Sequence, residues 1–268
     1  MSIETSRGRF PCHEEGSGPP VLLIHGAASD QRVWAPVAAA LPNSRVIAPT
    51  LRWFGPHDWR PDGPAFGERT HAADLAAIIE AIGLGPLPVA GWSYGANVAL
   101  RLAVDRPDLV SRVLVYETGA PGLVTGAAAR IVHRASMALT FGPTLSALRR
   151  SGPEAAVPAL LDAVGGRAAW DALGPELRAA SIESAGTMPM LVASKSRPAS
   201  VAAAEVAALP MPLRAAWGTR SRRVWTMPSA AVAAVAAGGP VQDADHLWPL
   251  REPERFAALL RSWLTSVE

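Results

Sequence analysis

Leu87-Pro88-Val89-Ala90-Gly91-Trp92-Ser93-Tyr94-Gly95-Ala96-Asn97-Val98 decides how the rest of this chain is read. Leu87 to Ala90 is a short apolar run of the kind that forms a buried strand. Ala96 to Val104 has the composition of a helix, ended at Arg106-Pro107 because a proline drives the residue before it out of the helical region. Between them stands a Gly-x-Ser-x-Gly pentapeptide, Gly91 to Gly95. Its glycines permit a sharp turn that lifts the Ser93 hydroxyl above the strand end, at the start of the helix. The helix dipole and unpaired N–H groups there favour developing negative charge. A bare pentapeptide is an ordinary strand-to-helix turn as readily as a nucleophile site. The strand before it and the helix after it tip the reading toward the second.

Outward from this point, apolar runs alternate with stretches of helical period, the pattern of parallel strands joined by crossover helices. Val21 to His25, Arg45 to Ala48 and Arg112 to Tyr116 read as further strands, so a doubly wound α/β sheet is expected. Leu75, Ile78, Ile79 and Ile82 recur at i, i+3, i+4 and i+7, one helical stripe that Gly83 and Gly85 stop. Pro253 suits a first helical turn, and Phe256, Leu259, Leu260, Trp263 and Leu264 give a terminal helix its apolar face. The stretch 119–211 holds Ala-rich helical segments broken by Pro and Gly, without a convincing strand, and is too long for a simple crossover. It reads as a helical cap (119–211) inserted into a core formed by 1–118 and 212–268, with Leu213 to Trp217 resuming the sheet.

A serine hydroxyl is a weak nucleophile and needs a base within hydrogen-bond reach. His246, in Ala244-Asp245-His246-Leu247-Trp248, lies between a short apolar segment and the terminal helix, where a loop at the strand ends can deliver it to Ser93. His13, His57, His71 and His133 lack that placement and read as surface or cap residues. His25-Gly26-Ala27 ends the first strand and brings a second backbone N–H toward the serine, so Ala27 and Tyr94 are the expected donors to an oxyanion. His25 itself reads as a structural part of that turn. The base needs an acid to fix its tautomer and offset the charge it acquires. Glu117, at the end of a strand that follows the Ser93 strand in the chain, is the choice. Asp243 and Asp245 are its rivals, although a neighbour of His246 is awkwardly placed to aim at that ring. Trp92, Trp53 and Phe54, with Met137 and Trp170 from the cap, are candidates to line an apolar pocket, against the plainer reading that they are core.

Composition narrows the alternatives. A 268-residue chain with 49% hydrophobic residues can bury a large core without staples, and its single cysteine, Cys12, excludes an internal disulfide and fits a reducing, cytoplasmic setting. The opening MSIETSRGRF lacks an apolar centre and no apolar run is long enough to span a bilayer, so neither export nor a membrane anchor is expected. The formal charge is +2 and the pI near 9.2, carried by scattered arginines, with Lys195 the sole lysine. Arg220, Arg222 and Arg223 are the nearest approach to a basic cluster, which argues against a nucleic-acid groove. The expected partner is a small molecule with an acyl group; the sequence carries no signal of oligomeric state.

The turn at His25-Gly26, the elbow at Ser93 and the late Asp245-His246 together resemble the α/β-hydrolase superfamily over nearly the whole chain. The resemblance implies an eight-stranded, mostly parallel sheet, a helical cap over the site and an acyl-enzyme route with no metal or organic cofactor. Two stretches depart from the family pattern. Gly218-Thr219-Arg220-Ser221 has no carboxylate where members commonly carry Asp, but some members place their acid after the sixth strand, which Val115-Tyr116-Glu117 resembles. Thr50-Leu51-Arg52-Trp53-Phe54-Gly55 replaces an Asp and a smaller residue, which reshapes the pocket. Serine at the nucleophile position sets the chain apart from the dehalogenase and epoxide-hydrolase branches. The leading expectation is a serine hydrolase for an ester, thioester or lactone. The same triad also suits C–C bond hydrolysis, perhydrolysis, lyase chemistry or acyl transfer, and a noncatalytic receptor or scaffold on this fold is the alternative of another class.

Overall fold

The computed structural model describes residues 1–56, 65–193 and 201–266. His57 and Lys195 lie outside them. Eight strands form one sheet in the order β1-β2-β4-β3-β5-β6-β7-β8. They are β1 (Ser2–Thr5), β2 (Gly8–Glu15), β3 (Pro20–Ile24), β4 (Arg45–Pro49), β5 (Leu87–Trp92), β6 (Val110–Tyr116), β7 (Leu213–Gly218) and β8 (Ala237–Val241). The β1 and β2 strands pair antiparallel with their neighbours and every later pairing is parallel. The sequence reading missed the β1–β2 hairpin, whose residues mix charge, glycine and proline instead of forming an apolar run.

The helices are α1 (Ala35–Ala39), α2 (Glu68–Ile82), α3 (Tyr94–Asp105), α4 (Ala127–Gly165), α5 (Pro175–Glu183), α6 (Ala203–Ala207), α7 (Arg223–Ala233), α8 (Trp248–Arg251) and α9 (Pro253–Thr265). Strand alternation divides the core between the two faces of the sheet. Val21 and Leu23 of β3 face Trp34, Val37, Phe256, Leu260 and Trp263, whereas Leu22 and Ile24 face the α2 and α3 side with Leu75, Ile78, Ile79 and Val98. Trp34 stacks on Phe256, 5.8 Å between ring centroids, which ties the α1 region to α9. Leu75, Ile78 and Ile79 of the expected α2 stripe are buried and Ile82 is half-buried, and the helix stops at Gly83, whose φ of +65° is one that a residue with a Cβ rarely adopts.

Helices α4, α5 and α6 lie between β6 and β7 in the chain, an insertion in which α4 fits a helical cap. Their longest member, α4, runs through Pro143 and breaks at Gly152, where φ is +85°. In the core, strand order reverses about β3: β4 lies on one side and β5 on the other. The carboxyl ends of β3 and β5 therefore flank a switch point, the place where open parallel sheets leave a crevice.

Candidate active site

Ser93 sits between β5 and α3, with φ +56° and ψ −118°. A non-glycine residue at positive φ is strained, and the surrounding backbone enforces it. The Ser93 N–H donates to the Tyr116 carbonyl at 2.9 Å. A Cβ on Gly91 would lie 2.3 Å from the Gly95 carbonyl oxygen, and one on Gly95 would lie 2.3 Å from that of Ile24. Both glycines are therefore required by close backbone approach. Helix α3 begins at Tyr94, two residues earlier than the sequence suggested, so its first N–H groups lie directly beside Ser93.

Three distant side chains meet here. His246 Nε2 is 2.9 Å from Ser93 Oγ, and His246 Nδ1 is 2.6 Å from Glu117 Oε2. A carboxylate only accepts, so Nδ1 carries the proton and Nε2 is left to accept from the serine. Glu117 is fully buried, with φ +57°, and its other oxygen accepts from the Gly218 N–H at 2.7 Å and from the Ser221 hydroxyl. Ser221 thus holds the Glu117 carboxylate in place. Asp245 turns away, accepting from the Leu247 N–H and pairing with Arg251, while Asp243 is exposed.

The histidine loop is anchored through the residues that precede the serine and the glutamate. Trp92 Nε1 donates to the His246 carbonyl at 2.8 Å, and the Tyr116 hydroxyl donates to the Asp245 carbonyl at 2.7 Å. Burial pushes the Tyr116 pKa upward, which keeps this hydroxyl a proton donor. Trp225 of α7 lies flat on the imidazole. Asn97 Oδ1 accepts from the Thr118 hydroxyl and the Gly119 N–H, fixing the chain as it leaves Glu117 for the cap.

At the end of β3, a Cβ on Gly26 would come 3.2 Å from Ser93 Cβ, so the His25-Gly26-Ala27 turn lies against the serine. His25 is structural: its Nδ1 donates to the Gly26 carbonyl at 2.8 Å and its Nε2 accepts from the Leu51 N–H at 3.0 Å. Burial lowers its pKa to about 4 and keeps it neutral. His71 differs from the surface-or-cap reading. It is buried on α2 between the Tyr94 hydroxyl and the Arg52 carbonyl. His133 is on the cap, as read, but is buried there, donating to the Val224 carbonyl.

A cavity of about 710 Å³ opens over Ser93 and His246. Ala27, Tyr94 and Trp92 line it, with Met137, Phe141 and Trp225. Trp53, Phe54 and Trp170 do not, which corrects the expectation for them. The turn after β4 folds beneath the site: Phe54 is fully buried, 5.1 Å from the His25 ring and 5.9 Å from that of Tyr94. Trp53 takes a φ of +74° in that turn, and Trp170 packs in the cap beside Arg178. Trp225 was missed because nothing local distinguishes it from a core tryptophan; only its position after Ser221 hinted at the site. Among the described residues no group of three or more His, Cys, Asp or Glu is arranged to hold a metal.

This sheet, cap and elbow define an α/β hydrolase. The chain belongs to the Alpha/beta hydrolase family, whose sequence profile matches residues 21–259. It is 34% identical over 115 residues to a 2-hydroxy-6-oxo-2,4-heptadienoate hydrolase of Pseudomonas putida, covering 41% of each chain. It is 36% identical over 110 residues to a soluble epoxide hydrolase of a Corynebacterium species, covering 41% of this chain and 37% of that one. These matches span only about two fifths of the curated relatives. The fold is similar throughout to that of an esterase from Rhodococcus sp. ECU1013, with a TM-score of 0.76, 21% identity and coverage of 100% of this chain and 99% of that one.

Proposed function

We propose that this chain is a serine hydrolase that cleaves a carboxylic ester, thioester or lactone through an acyl-enzyme. The observation that carries the reading is the unbroken relay from buried Glu117 through His246 to Ser93 Oγ, at 2.6 and 2.9 Å. In this reading Ser93 Oγ attacks the carbonyl carbon as His246 Nε2 takes its proton, and Glu117 balances the imidazolium. The N–H groups of Ala27 and Tyr94 receive the oxyanion. His246 then returns the proton to the leaving oxygen or sulfur, and water repeats the sequence to release the acid.

The cavity is lined mainly by apolar side chains, which suits an apolar acyl group. We assign the core to 1–118 and 212–268 and the cap to 119–211. The buried thiol of Cys12 suits a reducing, cytoplasmic setting.

The test is covalent labelling with a fluorophosphonate, together with hydrolysis of a panel of aryl esters, thioesters and lactones. Wild type is expected to label at Ser93 and turn over at least one class, and Ser93→Ala to do neither. A wild type that neither labels nor hydrolyses any of them would favour a ligand receptor on the same fold.

A further inference from the structure

We propose that the outer face of α4 docks the protein on an anionic lipid surface, bringing the mouth of the cavity against the membrane. Helix α4 carries Ile131, Val132 and Leu139 at 67%, 38% and 75% exposure, most of the large apolar side chains exposed among the described residues. At 100° per residue, Ala127, Ile131, Ala135 and Leu139 share one flank, and all four are exposed and apolar. Arg130 and Arg134 bracket that flank at one end, and Arg149 and Arg150 at the other; all four are exposed.

No Asp or Glu occurs between Glu117 and Glu154 in the chain. The neighbouring α7 begins at exposed Arg222 and Arg223, and the sequence from Val206 to Gln242 is also without an acid. A surface that is greasy and carries arginines at both ends matches acyl chains beneath anionic headgroups. It matches the alternatives less well. A second copy meeting this face about a two-fold axis would set arginine against arginine, and a nucleic acid offers little for isoleucine and leucine to bury against. The helix would lie on the lipid: among the described residues, no helix is long and apolar enough to cross it.

The same helix lines the catalytic cavity through Arg134, Met137, Ala138, Phe141 and Gly142, so a docked α4 would set the cavity entrance at the lipid boundary. Among the described residues that line the cavity, Glu68, in the first turn of α2, is the one carboxylate. The sequence reading expected no membrane association because it sought spans and leaders; a peripheral face of this kind shows in neither.

The experiment is sedimentation of the intact protein with vesicles of phosphatidylglycerol and phosphatidylcholine, and with phosphatidylcholine alone. Binding is expected only to the anionic vesicles and is expected to weaken with added salt. Arg149→Gln with Arg150→Gln should weaken it roughly 25-fold, about fivefold for each charge. Ile131→Ser with Leu139→Ser should also release the protein, while both variants hydrolyse a soluble short-chain ester at the wild-type rate. No binding to anionic vesicles overturns the proposal. So does binding that either double variant leaves intact, or a shift of Ile131→Ser/Leu139→Ser from dimer to monomer in sedimentation velocity without vesicle binding. Ser93→Ala should still bind vesicles, so the docking surface and the hydrolase reading fail separately.

Discussion

Trp225 covers one face of the His246 imidazole at a centroid distance of 3.8 Å and an interplanar angle of 23°. An indole face attracts a cation, so in the proposed mechanism this contact is expected to strengthen when the ring takes a proton. Trp225→Leu should lower kcat about tenfold, from a desolvated cation–π contact of roughly 1–2 kcal/mol. Trp225→Phe should recover most of the loss, which steady-state kinetics on an aryl ester would measure. Equal kcat in the leucine variant and wild type would remove the tryptophan from the chemistry.

Glu117→Gln keeps the shape of the acid but not its charge, and turnover should fall by about 10³ to 10⁴ with the fold intact by circular dichroism. Near-normal turnover would mean that another group orients the base. Because Ser221 donates to the same carboxylate, Ser221→Ala should cost about 1.5–3 kcal/mol of stability, read as a lower urea midpoint. Ser221→Asp in the Glu117→Gln background should regain activity if position 221 also reaches the imidazole.

The depressed pKa of His25 makes a signed prediction. Its folded value, about 4, lies below the ordinary 6.5, so the unfolded chain takes the proton first. Its stabilising contribution is therefore complete above about pH 6.5 and is lost as the pH falls toward 4, on the order of 3 kcal/mol. Buried His133 is shifted in the same direction. Thermal melts between pH 4 and 7 should show the midpoint falling with acid. His25→Asn should begin less stable at pH 7 and show a shallower slope, and an unchanged slope would refute the assignment.

Gly95→Ala places a methyl group 2.3 and 2.4 Å from the carbonyl oxygens of Ile24 and His25. Both obstacles are backbone, so β3 and the elbow must separate. The substitution should cost about 1–3 kcal/mol or more and slow fluorophosphonate labelling sharply, as urea unfolding and labelling kinetics would report.

The parts of this molecule visible in the sequence are those in which one local pattern carries the structural signal. The α2 stripe ends where Gly83 permits a left-handed turn, and Gly91 and Gly95 mark a turn that little else can make. The meeting of Glu117 with His246 follows from topology, since β6 lies between β5 and β7. What stayed hidden depends on contacts between distant segments. Trp225 reaches His246 only once α7 has docked, and Phe54 leaves the pocket only because His25 and Tyr94 receive its ring. The β1–β2 hairpin is held by pairing along an edge of the sheet, which apolar periodicity does not record.

The two anchors beneath the histidine loop have a bearing on heat resistance. Trp92 and Tyr116 belong to the central strands, yet their polar tips clamp the segment that carries His246, the proposed proton acceptor. Loss of alignment among Ser93, His246 and Glu117 is thereby coupled to melting of the sheet itself. Warmed gradually, the protein should keep its full catalytic competence almost to its unfolding temperature and then lose function and structure in a single cooperative step.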